Sequence, residues 1–465
     1  MRARSCSLRS HQVLVEELGA FGPAPRALRR APGVARWRRA GRLTYDVDVR
    51  DRDLYSQILG ISSPWSVNDV KLDLSASSVE VVVGRVPGAK LACPECGKQC
   101  PGYDSRERKW RHLDTCQLRT FLVAEVPRVN CPEHGVLFIK VPWAEAKSRF
   151  TAMFERLVID WLRETKSIVG VARILGLTWD EVDGVQRRAV QRGLQRRVLE
   201  APERIGVDET SFQKRREYVT VVCDLDRGTV LHVADGHGKQ SLSSFYEQLN
   251  PQQLANIKVV AMDMWKPFIA ATQDALEGAE EKIAFDKFHV AQHLNEAVDR
   301  VRRTEHRELC AFGDPTLTNT RYVWMMSPTK HSDAQRIAFD ILKRSSLKTA
   351  RAWAIKDAAS RMWDHGNREA AATTWRSWLQ WAVRSRLEPI KRVASMVREH
   401  LDGIVTAIVT RTTSALVESI NSTIQRIKGA ARGFRSRDRY RHAIYFHLGG
   451  LDLYPISCKS THTRS

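Results

Sequence analysis

Short segments of alternating hydrophobic and polar residues occur in the first third of the chain, at residues 79–84 and 121–126. A period of two is typical of strands that bury one face. Between residues 150 and 197 the apolar positions instead recur with the period of a helix. The pattern therefore predicts a β-rich segment that is followed by a helical one.

Two of the predicted helices are separated by a short turn. The first is expected to end at Gly176, and Thr178 begins the second with Glu181 three residues later, which is the pattern of a capping box. This layout is typical of a helix-turn-helix, whose second helix would run from Trp179 to about residue 194. A plain helical hairpin is the alternative. The candidate DNA-binding residues on the second helix are Arg187, Arg188 and Arg192.

The pattern turns to strands again after residue 203. Strands are predicted at 205–207, 218–224, 229–234, 257–262 and 282–285. A turn that ends in Gly228 joins the second and third of them as a hairpin. The region 289–410 is almost wholly helical and separates the last strand from a final helix at 412–428. We therefore interpret it as an inserted helical subdomain.

Three acidic residues stand where predicted elements should meet. Asp208 and Asp263 each close an apolar strand, and Glu418 lies on the final helix. Ligands of open sheets bind outside the carboxyl ends of the strands, and carboxylates there suit divalent cations. A single strand-end aspartate is more often a turn residue, but the three together predict a site for two Mg²⁺ ions, with Mn²⁺ as a substitute, that serves phosphoryl transfer.

Further polar residues lie close to these acids in the sequence. Asp286 and His289 follow the last predicted strand, and we expect them to be auxiliary active-site residues. Asn421 lies one helical turn beyond Glu418 and is a third auxiliary candidate. Basic residues on and after the same helix are candidates for contact with a phosphate backbone, and a solvated basic helix is the alternative. These candidates are Lys428, Arg432 and Arg435.

The charge of the chain favours a polyanionic partner. Lys and Arg number 74 against 53 Asp and Glu, which gives a net charge of +21. Nucleic acid is the commonest polyanion, although a ribosome-associated or merely basic protein would carry a similar charge. No apolar run approaches the roughly 20 residues of a membrane helix, and no secretory signal is present. These features predict a bacterial cytoplasmic, nucleoid-associated protein without a membrane partner.

Nine cysteines with uneven spacing do not resemble a disulfide framework. Two short motifs, each followed by glycine, instead have the spacing of metal-binding knuckles. Cys100 and Cys116 could compete as ligands, and two unrelated pairs of reduced cysteines are the alternative. The 34 residues between the knuckles require a β-rich insert. The predicted structural zinc site consists of Cys93, Cys96, Cys131 and His134.

Taken in order, these motifs resemble those of bacterial insertion-sequence transposases of the DDE type, in the ISL-three family. The resemblance extends from about residue 54 to about residue 450. Two positions depart from the family pattern: His134 stands where many relatives carry Cys, and Ser419 stands where Gly is usual. The motifs that carry the resemblance are residues 54–60, the two knuckles, 110–114, 206–209, 261–265, 285–290, 417–421 and 427–428.

The resemblance implies an α/β fold: an RNase H-like catalytic core with a helical insertion, preceded by a zinc-binding β-rich module and a helix-turn-helix. It also implies that Asp208, Asp263 and Glu418 are the metal-binding triad. The expected divisions are a disordered or wrongly started extension at 1–52, a zinc module at 53–145, a helix-turn-helix at 150–200, a core at 203–300 and 410–450, and an insertion at 301–409.

The function expected from this resemblance is DNA transposition. Such a protein would bind the terminal inverted repeats of its element, hydrolyse DNA at the ends, and join the freed 3′-hydroxyl to target DNA. Paired-end chemistry implies at least a homodimer in the active complex. The alternatives are a transposase-derived repressor without catalysis and an RNase H-like repair nuclease.

Overall fold

The computed structural model of the protein describes residues 51–200, 202–213 and 217–455. The extension predicted at 1–52 therefore lies outside the described residues, except for its last two positions. Within the described residues, no helix is both long enough and apolar enough to span a membrane.

The first part of the chain forms a five-stranded sheet behind one helix. Val81, Trp110 and Leu122 are wholly buried at its centre. The strands predicted at 79–84 and 121–126 are confirmed as parallel neighbours, the second and fourth in the chain. The strand order is β1-β2-β4-β3, with β5 paired to β4. The elements are α1 (Asp51–Leu59), β1 (Trp65–Asp73), β2 (Ser78–Arg85), β3 (Gly102–Arg111), β4 (Arg119–Cys131) and β5 (Gly135–Phe138).

Three helices follow, and the turn between the second and third lies where the sequence predicts it. The second helix of this group ends at Gly176, whose φ of 63° is the left-handed conformation that glycine adopts without strain. The next helix begins at Thr178, and both hydrogen bonds of the capping box with Glu181 are present. The helices are α2 (Ala152–Thr165), α3 (Ile168–Leu175) and α4 (Trp179–Arg196).

A second five-stranded sheet contains all the strands predicted after residue 203. Its order is β10-β9-β6-β7-β8, so that β6, the first of these strands in the chain, is central. The strands β9 and β10 run parallel to β6, whereas β7 is antiparallel to both of its neighbours. The strands are β6 (Arg204–Gln213), β7 (Glu217–Asp224), β8 (Thr229–Asp235), β9 (Val259–Met262) and β10 (Ile283–Phe285). The helices among them are α5 (Lys239–Tyr246), α6 (Pro251–Asn256), α7 (Lys266–Ala275) and α8 (Ala279–Lys282).

The remaining chain is helical. The domain boundary predicted at residue 300 is wrong, because α9 is a single 25-residue helix that begins directly after β10 and continues beyond that point. The helices up to residue 409 are α9 (Lys287–Ala311), α10 (Arg321–Met325), α11 (Asp333–Leu342), α12 (Lys348–Ser360), α13 (Arg368–Arg384), α14 (Glu388–Glu399) and α15 (Leu401–Val409). Two helices complete the described chain, α16 (Ala415–Ala430) and α17 (Arg437–Leu448).

The two faces of the second sheet belong to different hydrophobic cores. One face, which includes Ile205 and Val207, packs against α5, α7, α9 and the helices that follow α9. The other face, which includes Val221 and Val233, shares a core with α2, α3, α4, α16 and α17. The helix-turn-helix region is therefore not a separately packed domain, because its apolar side chains lie in the same core as the second sheet.

Candidate active site and zinc centre

Asp208, on β6, and Asp263, directly after the adjacent strand β9, lie level with each other in the register of the two strands. The expectation that Asp208 ends its strand is wrong, because β6 continues to Gln213 as one arm of a hairpin with β7. The parallel pairing of β6 with β9, however, ends where Gly206 pairs with Ala261. Two residues further along this register, Asp208 falls opposite Asp263, the first residue after β9. The two carboxylates are therefore brought to one edge of the parallel part of the sheet.

The surroundings of Asp208 favour a cationic ligand. Burial raises the pKa of its carboxyl group, and the negative charge of Asp263 raises it further. Three interactions oppose this shift and lower the pKa: a hydrogen bond from the backbone N–H of Glu209 at 2.7 Å, the nearby His289, and a hydrogen bond from the Nδ2 of Asn421 at 2.6 Å. A half-buried carboxylate beside a second one is stabilised in its charged form by a bound cation. The pair therefore suits a divalent ion.

Helix α16 lies along β6 and forms one seam with it. Val417 packs so closely over Gly206 that a Cβ atom there would lie 2.5 Å from Cγ2 of the valine. Further along the seam, the Nε2 of Gln425 donates to Oγ1 of Thr210 at 2.7 Å. This seam sets the rotation of α16 and directs Asn421 at Asp208. The buried Oδ1 of Asn421 has no hydrogen-bond partner among the described residues, which is consistent with a ligand beside Asp208.

Lys428, a predicted DNA contact, also takes part in this seam. Its Nζ donates to the backbone carbonyl of Ser211 at 2.7 Å, and the side chain is half-buried. One of its three N–H donors is thus used within the protein, and its role as a DNA contact stays a prediction. Arg432 and Arg435, in contrast, are exposed beyond the end of α16.

Glu418 lies in the first turn of α16, one turn before Asn421. Its side chain is exposed, and its Oε1 accepts a hydrogen bond from the hydroxyl of Ser414 at 2.8 Å. The helix that holds the third predicted acid is therefore placed beside the first, while the carboxylate itself is bound to Ser414, the residue that precedes this helix.

Both predicted auxiliary residues of the β10–α9 junction lie at the same edge of the sheet. Asp286 is only 9% exposed and caps α9, with its Oδ1 accepting from the backbone N–H of Phe288 at 2.8 Å. Its Oδ2 accepts from the backbone N–H of Ser414, at the start of α16. The Nδ1 of His289 lies 3.5 Å from Oδ1 of Asp263. Asp286 thus contacts the helix of Glu418, and His289 contacts Asp263.

A cavity of about 340 Å³ opens beside Asp263, between α9 and α14. Its lining includes arginine, histidine and the exposed indole of Trp265, which are residue types that bind nucleic acid. Burial lowers the pKa of His400, another lining residue. Sequence reasoning did not single out these residues individually, because the two arginines come from helices about 90 positions apart. The residues concerned are Trp265, His293, Arg300, Arg392 and His400.

The arginines predicted to read DNA from α4 have different environments. Arg187 is exposed, as a DNA contact requires. Arg188 and Arg192 both pair with the buried carboxylate of Glu155 and so hold α4 against α2. Arg192 is 7% exposed and also bonds to Glu145, so its burial argues against a contact with DNA. Arg188 is half-buried, and its role as a DNA contact stays a prediction.

The structure brings together all four predicted zinc ligands. Their ligand atoms lie within 4.8 Å of one another, with 3.7 Å between the sulfurs of Cys96 and Cys131. The contact with His134 lowers the pKa of Cys131 to about 6, and zinc binds the thiolate form. Three cysteines and one histidine make a closed set for tetrahedral zinc. Cys100 and Cys116, the possible competitors, are not members of the cluster.

The turns around this centre are those that the sequence predicts. Gly97 and Gly135 follow the two knuckles and adopt left-handed φ values of 71° and 69°. The β-rich insert between the knuckles is the antiparallel pair of β3 and β4.

Comparison with known proteins finds family models that match three stretches of the chain. A family model for DDE transposases of the ISL3 type, described as "Transposase", matches residues 205–444, which are 240 of the 465 residues. Models described as the zinc-finger of transposase IS204/IS1001/IS1096/IS1165 and as the helix-turn-helix domain of transposase family ISL3 match residues 90–134 and 139–190.

Individual relatives carry the same description. The transposase for insertion sequence element IS1557 of Mycobacterium tuberculosis is 27% identical over 423 residues, covering 83% of this chain and 93% of the relative. The transposase for insertion sequence element IS1001 of Bordetella parapertussis is 25% identical over 362 residues, covering 76% and 88%. The chain therefore belongs to the ISL3 family of DNA transposases, enzymes that cut and transfer DNA strands.

Proposed function

We propose that Asp208, Asp263 and Glu418 together bind the divalent ions, Mg²⁺ in the cell, that serve strand cleavage and strand transfer. The observation that carries this proposal is the register of the parallel strands, which sets Asp208 level with Asp263. The seam between α16 and β6 then places the helix of Glu418 beside them. Three carboxylates suffice for two Mg²⁺ ions, since each ion keeps several waters.

The proposed catalytic core is an RNase H-like fold with a helical insertion. The supporting feature is the order β10-β9-β6-β7-β8. The central strand β6 has the parallel strands β9 and β10 on one side and the antiparallel hairpin of β7 and β8 on the other. The helices from α9 to α15 separate β10 from α16 in the chain. The insertion therefore begins at residue 287, and the core resumes with α16.

The chain's own residues would bind and orient the reacting groups. Asp208 and Asp263 supply oxygen ligands, and Asn421 holds Asp208 in one orientation through its amide N–H. The Nδ1 of His289 lies 3.5 Å from Oδ1 of Asp263 and would limit the rotation of that carboxylate. The ions, when bound, lower the pKa of an attacking hydroxyl and stabilise the leaving oxygen.

DNA would be held by surfaces outside this site. We propose that the zinc module and the helix-turn-helix bind the terminal inverted repeats, with Arg187, Arg432 and Arg435 contacting the backbone. The cavity beside Asp263 places Arg300 and Arg392 where the strand next to the scissile bond would pass. Because two element ends react together, the active complex would contain at least two copies of the chain.

Replacement of Asp263 by alanine is the first test. Wild-type protein should cleave duplex DNA carrying the element end in the presence of Mg²⁺, and should excise a marked element in cells. Asp263→Ala should bind the same end with unchanged affinity but show no cleavage, because a metal ligand is lost. Asp364→Ala is the matched control, since Asp364 is exposed in a turn of the insertion.

Two outcomes would contradict the proposal. Cleavage by Asp263→Ala at the wild-type rate would show that the acids are misassigned. End binding without cleavage by the wild-type chain, at any divalent ion concentration, would indicate a DNA-binding repressor instead of an enzyme.

A further inference from the structure

We propose that Asp286 is a positioning residue that sets Glu418 for metal binding and that it acts through Ser414. The proposal rests on the proposed function of Glu418 as a metal ligand. It assigns a role to a carboxylate that is not itself one of the proposed metal ligands.

The two oxygens of Asp286 bond to segments that are far apart in the chain. The Oδ1 atom accepts from the backbone N–H of Phe288 and caps α9, as an aspartate at an N-cap commonly does. The Oδ2 atom accepts from the backbone N–H of Ser414, which is 128 positions away. Capping α9 needs only one of these bonds, so the second is a separate tie between the end of β10 and the start of α16.

A hydrogen-bonded path then continues to the third acid. Ser414 precedes α16, and its hydroxyl donates to Oε1 of Glu418 at 2.8 Å. The carboxylate of Asp286 therefore fixes the backbone of Ser414, whose side chain in turn fixes Glu418. Because this bond uses Oε1, the Oε2 atom of the oriented carboxylate remains for an ion.

The tie adds to packing that already locates the start of α16. The last helix of the insertion, α15, packs on β10 where Gly403 contacts Phe285, and Val417 in the first turn of α16 packs over Gly206. The seam with β6 fixes the middle of α16 through Asn421 and Gln425. Its first turn, which holds Glu418, has the bond to Asp286 as its link to the end of β10.

Because Asp286 is buried, its bond to Ser414 should depend on a single carboxylate oxygen. Asp286 is 9% exposed, so water cannot easily replace a lost partner. Asparagine has the same shape but one acceptor oxygen, and its NH₂ group would face an N–H donor. Asp286→Asn therefore loses one of the two bonds while preserving volume. Ser414→Ala is complementary, because it keeps the bond to Asp286 and removes the one to Glu418.

A matched control exists at the opposite end of the same sheet. Asp224 is 6% exposed and accepts from two backbone N–H groups, those of Asp226 and Arg227. It pairs with Ile205 at the start of β6, away from the acids. Both bonds are to Oδ1, which asparagine retains, so Asp224→Asn controls for placing an amide at a buried aspartate of this sheet and should not affect Glu418.

The experiment compares the wild type with three variants that test this inference: Asp286→Asn, Ser414→Ala and Asp224→Asn. Hydrogen exchange in metal-free protein reports the order of the first turn of α16, and Mn²⁺ titration by calorimetry reports ion affinity. Cleavage of element-end DNA gives the Mg²⁺ concentration at half-maximal rate. Asp263→Ala is included to test the metal site itself.

We expect Asp286→Asn to speed exchange at residues 414–418 and to weaken ion binding by about 10- to 100-fold, the usual effect of losing a residue that orients a ligand. Ser414→Ala should weaken ion binding without speeding exchange, and Asp224→Asn should change neither. Wild-type exchange and ion affinity in Asp286→Asn, with Asp263→Ala inactive, would overturn this inference alone. Normal cleavage by Asp263→Ala would overturn the proposed function and this inference together.

Discussion

At the scale of single residues, the site depends on a glycine that lets a helix approach a strand closely. Gly206 lies two residues before Asp208, and a Cβ atom there would lie within 3.0 Å of Val417, Leu225 and Cys223. The missing side chain lets α16 approach β6 closely enough for Asn421 to reach Asp208. The glycine of this motif thus serves the seam, since its φ value is not in the left-handed region.

Gly206→Ala should therefore displace α16 and impair catalysis. Overpacking at such a contact costs about 1–3 kcal/mol, which urea denaturation would measure. Cleavage should fall by more than the loss of folded protein explains, because Glu418 moves with the helix. Val417→Ala in the same chain should restore much of both properties by making room. A Gly206→Ala protein with normal cleavage would show that the close contact is not needed.

At the scale of elements, helix α4 shows what its sequence could and could not predict. Its start was predictable because the capping box is a local motif of Thr178 and Glu181. The roles of its arginines were not, because Arg188 and Arg192 pair with Glu155, more than 30 positions away. A helical period shows which residues share a face but not which charged partner lies opposite that face.

This difference predicts opposite effects for two neighbouring arginines. Arg192→Ala should lower the free energy of unfolding by about 1–3 kcal/mol, since it removes buried charged hydrogen bonds. Arg187→Ala should leave stability unchanged. It should weaken DNA binding and reduce the slope of log binding constant against log salt concentration by about 1. Denaturation and binding measured at several salt concentrations would separate the two. Equal loss of stability in both variants would refute the division of roles.

The zinc module gives a prediction at the same scale. Removal of zinc by a chelator should unfold the knuckles and abolish end binding, because a closed site of this type holds the fold together. His134→Cys should keep one zinc per chain, since four cysteines also form a closed site. Cys131→Ser should lose it. Zinc content by atomic absorption, with circular dichroism, is the measurement. Zinc retained in Cys131→Ser would place the ion elsewhere.

The limits of sequence prediction follow the range of the interactions involved. The hairpin of β7 and β8 and the strand before Asp263 were predictable from local periodicity. Strand β3 was not, because most of its side chains are polar and exposed. The extent of β6 beyond Asp208 depends on pairing with β7, and the tie between Asp286 and Ser414 joins distant segments. Neither leaves a local signal.

At the scale of the whole molecule, stability is linked to buried neutral histidines. Burial, with the nearby charges of Arg197 and Arg441, lowers the pKa of His232 to about 4. Its ring accepts from Gln248 at Nδ1 and donates to Ser244 at Nε2, so both nitrogens are engaged in the neutral form. Burial also lowers the pKa of His112 and of His447 to about 4, in the zinc module and in α17.

Stability should therefore fall as the pH is lowered from about 6.5 to about 4. Over this range the unfolded chain gains protons at these histidines while the folded chain does not, so the free energy of unfolding decreases. His232 alone contributes on the order of 3 kcal/mol at the end of this range. His232→Gln should show a smaller decrease in urea denaturation at successive pH values. An unchanged slope would exclude His232 as a source.

The core shared by the helix-turn-helix and the second sheet has a consequence for the evolution of such elements. Because α4 packs with α17 and with the strands next to Asp208, a recognition helix cannot be inherited from another element as a separate cassette. A recombinant that exchanged residues 150–200 alone would inherit mismatched packing against α16 and α17. If exposed residues such as Arg187 contact the element ends, as proposed, we expect new end specificity to arise by substitution at those positions, with matching changes in the terminal repeats.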